Sequence, residues 1–367
     1  MSSEGFEAVV VRVPMSGPGD VSGVAALFDR KEIDPKHVVA IMEQTEGDPY
    51  ARGYATLAME VLLSERLGIS RREVFERIPM MIGGVGGIMC PHIILFIRKP
   101  AAAGGTQKRL ALGVASSRQL LPEEYGTMVQ VDLVADAVRA AMKDAGISDP
   151  SQIECVEIKC PAMTPARVAD AGQRGRKVAN TNPVVASSLA KGACALGVAV
   201  ATGDVARERL SDAMINVDKS VYSSVASTSA GGEQVACRVL VIGNVEGAPG
   251  KLVAAHGVMQ DQLDIRGARE AFARAGLELQ DGTVSERDRP RIAAVLVNAG
   301  ADYVTSVRGR RHVLHSDFLA PFSGIQAKAV AHAAVATIVG DTMFLASAGA
   351  EHQGPPGANL ICVIAEA

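Results

Sequence analysis

The stretch DPKHVVAIMEQ at residues 34–44 recurs as DPSQIECVEIK at 149–159 and as RPRIAAVLVN at 289–298. In each copy a proline turn leads into an apolar strand, and a polar residue stands six places after the first β-branched one. Those polar residues are Gln44, Lys159 and Asn298. A helix-like segment precedes each strand, at 21–29, 131–144 and 265–275. In the second, Val131, Val134, Ala135, Val138, Ala141 and Met142 follow a 3.6-residue period, and Gly146 is a helix stop.

Two further landmarks recur in the same order. Ala51–Arg52–Gly53, Ala190–Lys191–Gly192 and Ala327–Lys328–Ala329 each open an Ala-rich helical stretch with a cation. Downstream come Ile82–Gly83–Gly84–Val85–Gly86, Ser229–Ala230–Gly231–Gly232–Glu233 and Ser347–Ala348–Gly349–Ala350–Glu351, each after a strand and before another apolar run. Self-similarity at this long period predicts three related α/β units. The linkers at 100–107 and 244–250 bound them at 1–104, 105–247 and 248–367.

Composition narrows the function. The chain has 367 residues, 37 Gly, no Trp and 4% aromatics, so its core is aliphatic. Hydrophobic residues make up 48% and the net charge is −3, which excludes a disordered chain and argues against a nucleic-acid binder. The six cysteines form no CxxC pair, and no basic-then-apolar leader opens the sequence. The longest apolar runs, such as Ile93–Ile97, are strand-length. A reduced, cytoplasmic protein without a membrane partner is the expectation.

In a three-fold arrangement the landmarks converge. The strand-end set is Gln44, Lys159 and Asn298; the cations are Arg52, Lys191 and Lys328; the turn set is Ile82, Ser229 and Ser347. Only the second unit combines a strand-end Lys with a Ser. A neutral lysine can take a serine proton if burial or nearby cations lower its pKa. Alternatively Lys159 pairs with Glu157, two residues away on the same strand face. The small residues after Ser229 let backbone N–H groups approach a carbonyl oxygen, unless they form an ordinary turn.

Other motifs read more simply. The loop at 16–23 follows a strand and precedes a helix, but its spacing is GxGxxxG and Pro18 lacks an N–H, so a plain turn is favoured over a dinucleotide site. His312 and His315 have no acidic partner at metal spacing. His92 is a packing histidine. The rigid loop Glu351–Gly357 either holds a hard cation through oxygens or is a plain turn.

The combination of SGPGDVSG (16–23), VVAIMEQTEGD (38–48), DPYARGYAT (48–56), EIKCPAMT (157–164), STSAGGE (227–233) and SAGAEHQGPPG (347–357) resembles the cyanuric acid hydrolase and barbiturase family of ring-opening amidohydrolases. The resemblance spans essentially the whole chain. It implies three similar α/β domains around a pseudo-three-fold axis, one central active site, and a homotetramer. It further implies Ser229 as nucleophile, Lys159 as base, and Arg52, Ser347, Lys191, Lys328, Gln44, Ile82 and Asn298 as substrate contacts, with backbone N–H groups at Gly83, Ala230 and Ala348. No cofactor is required for the chemistry. A structural Mg2+ or Ca2+ is implied near Ala350, Glu351, Gln353, Pro356 and Gly357. The implied ligand is a small cyclic amide, imide or ureide.

The departures shape the expectation. Gln44 and Asn298 stand where the family has lysines, Ile82 where it has a serine, Gly86 where it has a glutamate, and Lys191 and Lys328 where it has arginines. With Ile82 facing the ligand, the expected ring is less symmetric than cyanuric acid and carries an apolar edge. The alternative is a divergent member that binds a cyclic ligand without hydrolysing it.

Overall fold

A computed structural model describes residues 4–300 and 304–367. Three four-stranded sheets share one plan. In the first, β1 (Glu4–Pro14) is followed by α1 (Ser22–Asp29), β2 (Val38–Thr45), α2 (Pro49–Leu67), α3 (Arg71–Arg77), β3 (Met80–Gly84) and β4 (His92–Ala102). The second runs β5 (Lys108–Ser116), α4 (Met128–Asp144), β6 (Ile153–Pro161), α5 (Pro165–Gln173), α6 (Pro183–Thr202), β7 (Ala226–Gly231) and β8 (Arg238–Glu246). The third runs β9 (Leu252–Met259), α7 (Ile265–Arg274), a ribbon β10 (Leu279–Gln280) and β11 (Thr283–Val284), then β12 (Ile292–Ala299). A second ribbon, β13 (Ser306–Val307) and β14 (Arg310–Arg311), precedes α8 (Ser323–Val339), β15 (Leu345–Ala348) and β16 (Asn359–Glu366).

The strand orders β1-β4-β2-β3, β5-β8-β6-β7 and β9-β16-β12-β15 are one order repeated. In each, the last strand lies antiparallel between two others, and a helical crossover joins a parallel pair. A bulge interrupts the same point of all three, at Val38/Ala40, Ile153/Cys155 and Ile292/Ala294. The proline turns quoted above are one-turn 3-10 helices. Asp34 and Asp149 cap two of them by accepting from Lys36 N and Ser151 N.

The crossover helices begin earlier than their cations suggest. Asp48 caps α2 and Asn182 caps α6, each with proline at the first helical position. Arg52, Lys191 and Lys328 therefore sit one or more turns inside their helices. Left-handed glycines Gly68, Gly203 and Gly340 end all three. The longest apolar run also exceeds a strand. Pro183–Thr202 is long and apolar enough to cross a membrane, and here it is the buried core helix of the second unit.

Because strand side chains alternate, each sheet has two apolar faces. One packs on its own helices: Met80 and Ile82 in the first unit, Val156 and Ile158 in the second, Val295 and Val297 in the third. The other faces the shared centre, where Met42, Met81, Cys155, Leu240, Leu296, Leu345 and Cys362 join one cluster. The strand ends above that cluster position the site.

Candidate active site

A cavity of about 230 Å3 opens where the three sheets meet. Gln44, Gly83 and Arg52 line it from the first unit, Lys159, Ser229 and Ala230 from the second, and Lys328, Ser347 and Ala348 from the third. Met42, Met81 and Leu345 add apolar surface, as do Val85 and Ile325. Glu157 also lines it, as do Gly47, Gly84 and Ala346.

Strand register explains the convergence. Lys159 is the parallel partner of Ser229, and Asn298 of Ser347. In the first unit, however, Gln44 is opposite Gly83, while Ile82 is opposite Glu43. Ile82 thus has the strand parity of Thr228 and Ala346, and its side chain is buried against the helices of its own unit. This corrects the expectation that Ile82 presents an apolar edge to the ligand. The turn position of the first unit belongs to Gly83, which has no side chain to present.

The three strand-end residues also tie each unit to its neighbour. Lys159 Nζ donates to Ile82 O at 2.7 Å. Gln44 Oε1 accepts from Ala346 N at 3.1 Å. Asn298 Nδ2 donates to Gln353 Oε1 at 3.0 Å, and that oxygen also accepts from Thr228 N at 2.6 Å. The backbone groups reached, at Ile82, Ala346 and Thr228, are equivalent positions in the three units. Asn298 is drawn into this tie and does not line the cavity, which corrects its place among the ligand contacts.

Lys159 is fully buried, and its pKa is lowered by burial first; Glu233 opposes the shift, and Arg52 and Lys191 add to it. Glu157 is not its ion-pair partner among the described residues: the lysine goes to Ile82 O, and Glu157 takes hydrogen bonds from Ser227 and Cys155 instead. Lys328 is pushed down to about 8 by burial, with Arg52 and Lys159 contributing, and donates to Gly84 O. Arg52 Nε is buried with no acceptor among the described residues, so a donor remains available at the cavity.

Lys191 is placed differently from the other cations. It forms an ion pair with Glu351 at 2.6 Å and does not line the cavity. Its charge reaches Lys159 through space, so the direct ligand contact expected of Lys191 is corrected to an electrostatic influence. Glu351 also accepts from Ser188 Oγ at 2.8 Å and Gln353 Nε2 at 3.2 Å. Gln353 is occupied by Asn298 and Thr228, and Gly357 O lies 3.5 Å from Gln262 Nε2. Pro356 is exposed and Ala350 is buried. The loop offers one carboxylate, Glu351, which is paired here with an ammonium, so a hard cation would have to share or displace Lys191 and take its other ligands from backbone oxygens.

The lesser candidates resolve plainly. Asp20 fills the 16–23 loop, accepting from the backbone N–H and hydroxyl of both Ser16 and Ser22. A carboxylate there opposes phosphate binding. His92 is buried, with Nδ1 2.8 Å from Cys90 O, and burial lowers it to about 4. His312 and His315 lie with ring centroids 5.8 Å apart, with no group of metal-ligating side chains among the described residues. Sequence reading missed Ile325 as a wall residue, though it sits one turn before Lys328 on α8. It also read Glu157 only as a partner for Lys159, although the i, i+2 spacing places both on the central face.

Known proteins share this architecture. The model of a family described as amidohydrolase ring-opening protein matches residues 9–366. A cyclic amide hydrolase of Azorhizobium caulinodans is 41% identical, over 98% of this chain and 99% of its own. A cyanuric acid amidohydrolase of Enterobacter cloacae is 44% identical, with the same coverage of both chains. A solved cyanuric acid hydrolase superposes with a TM-score of 0.92 at 38% identity, covering 99% of this chain and 100% of that one. The structure of the A. caulinodans cyanuric acid hydrolase gives 0.88 at 36%, covering 98% and 99%. With a family model spanning nearly its whole length and full-length relatives of this identity, the chain belongs to the ring-opening amidohydrolases.

Proposed function

We propose that this protein hydrolyses a C–N bond in the ring of a small cyclic amide, imide or ureide, with Ser229 as nucleophile and Lys159 as its base. The observation that carries this reading is the Lys159–Ser229 register pair on the wall of a cavity that all three units line. Burial and the Arg52 and Lys191 charges favour the neutral, proton-accepting amine. Lys159 takes the Ser229 proton as the hydroxyl attacks the ring carbonyl, and returns it to the departing ring nitrogen. Water then releases the acyl group by the same base. Arg52, Lys328 and the backbone around Ala230 stabilise negative charge on the carbonyl oxygen.

Symmetry bears on the substrate. Met42, Met81 and Leu345 give the cavity an apolar floor, Val85 and Ile325 an apolar side, and the first unit offers Gly83 in place of a hydroxyl. A ring with one apolar edge suits these walls better than three equivalent carbonyls. The test is a hydrolysis screen of cyanuric acid, barbiturate and alkyl-substituted cyclic imides, with Lys159→Met beside the wild type. The expected result is ring opening of at least one substituted ring, lowered about 10²–10⁴-fold in the variant. A wild type that opens none, yet is thermally stabilised by one, would make it a binding protein instead.

A further inference from the structure

One corner of the layer beneath the cavity is polar. At the depth of Glu157 the other units have Met42 and Leu296, and at the depth of Ser227 they have Met81 and Leu345. Packing alone therefore does not call for a carboxyl group here. Behind Glu157 lies a void of about 10 Å3, lined by Glu154, Glu157, Ser224, Ser227, His256 and Asn298 among others. That is room for about one water. Among the described residues Asn298 Oδ1 is buried without a donor, which marks the void as a place for one water. Behind the void, an outer cleft of about 680 Å3 is lined by Ser224, Val225 and His256 again.

The three spaces thus adjoin one another in series, separated by shared side chains. Glu157 is common to the central cavity and the void, and Ser224, Val225 and His256 are common to the void and the outer cleft. His256 Nδ1 is 2.7 Å from Glu154 Oε2, so the outer end carries an acid–imidazole pair. We propose that the seam between the second and third units is a rear proton path, in which Glu157 passes the proton released by ring opening from the central cavity to the His256–Glu154 pair.

This rests on the hydrolytic reading of the site. Hydrolysis adds hydroxyl to the carbonyl carbon and hydrogen to the ring nitrogen, and the resulting carboxylic acid ionises at neutral pH. One proton per turnover then remains in a cavity whose mouth the product occupies. The Glu157 carboxylate accepts it, a water in the void relays it, and His256 or Glu154 delivers it to the outer cleft. The titratable groups around Glu157 are Glu154, Cys155 and Lys159 on β6, Cys362 on β16 and His256 on β9; β7 and β12 add the polar Ser227, Ser229 and Asn298 and the apolar Leu296. Arg274 on α7 lies outside, 3.5 Å from Glu154. Burial raises Glu157 to about 7, so both of its forms are populated at working pH.

The first test needs no substrate. In the resting protein, infrared titration should show a buried carboxylic acid band that fades as pH rises through about 7. The band should be absent in Glu157→Gln, and its deuterium shift in D2O should be slowed by His256→Phe. The second test is turnover. Glu157→Gln should lower kcat about tenfold or more, lose the limb near neutrality, and recover part of the rate in small imidazole buffers. Glu157→Met, which installs the first unit's residue, guards against a folding artefact and should behave alike. Absence of the band, or a Glu157→Gln enzyme with wild-type kcat and pH profile, overturns the path. A wild type that opens no ring defeats the hydrolytic reading, and the infrared arm then still decides the path.

Discussion

In the proposed mechanism Lys159 is the base, and its neighbours set its charge state. Only the neutral amine accepts a proton, so the rate should rise with pH through a pKa below that of an ordinary lysine. Arg52 lowers that pKa, so Arg52→Gln should move the rising limb of kcat/KM to higher pH. Glu351 neutralises Lys191, so Glu351→Gln should move it to lower pH. Opposite displacements in the two pH–rate profiles would separate charge effects from general damage. A second contrast concerns adjacent residues. Ile82→Ser removes a buried side chain from the helix-facing core and should cost about 2–4 kcal/mol in chemical denaturation, without altering ring preference. Gly83→Ser adds a Cβ 2.8 Å from Gln44 Nε2, so the Gln44 amide must shift while its Oε1 still accepts from Ala346 N. That variant should lose some stability and should change ring preference in the hydrolysis screen.

At the scale of elements, the strand ends tie the units together, and those of β2 and β6 are cavity wall as well. Gln44 holds β15 through Ala346 N, so Gln44→Ala leaves a buried N–H unpaired and should destabilise the protein by about 1–3 kcal/mol, measured by denaturant unfolding. Much of this frame is legible in sequence, because proline turns, β-branched runs and polar strand ends recur in fixed order. What escaped was face and partner. Ile82 aligns with the serines as a string, but strand pairing puts it on the opposite face, and parity is set by register with β2 rather than by local residues. Lys191 and Lys328 occupy matching landmarks, yet one meets a carboxylate from a distant loop and the other a backbone carbonyl. Contacts between residues so far apart leave no mark in local spacing.

For the whole molecule, three copies of one sheet surround one cavity, and divergence has made the copies unequal. Ser229 and Ser347 hold equivalent positions, but Lys159 faces the first and Asn298 the second. An amide engaged by Gly349 O and Gln353 cannot take a proton, so the proposed mechanism gives a base to Ser229 and none to Ser347. The direct test is the steady-state ring-opening rate of Ser229→Ala and Ser347→Ala, measured side by side on the best substrate with folding checked by thermal melting. The account predicts a loss of roughly 10³-fold or more for Ser229→Ala and about tenfold or less for Ser347→Ala. Equal losses, or a Ser229→Ala enzyme that keeps its rate, would contradict it.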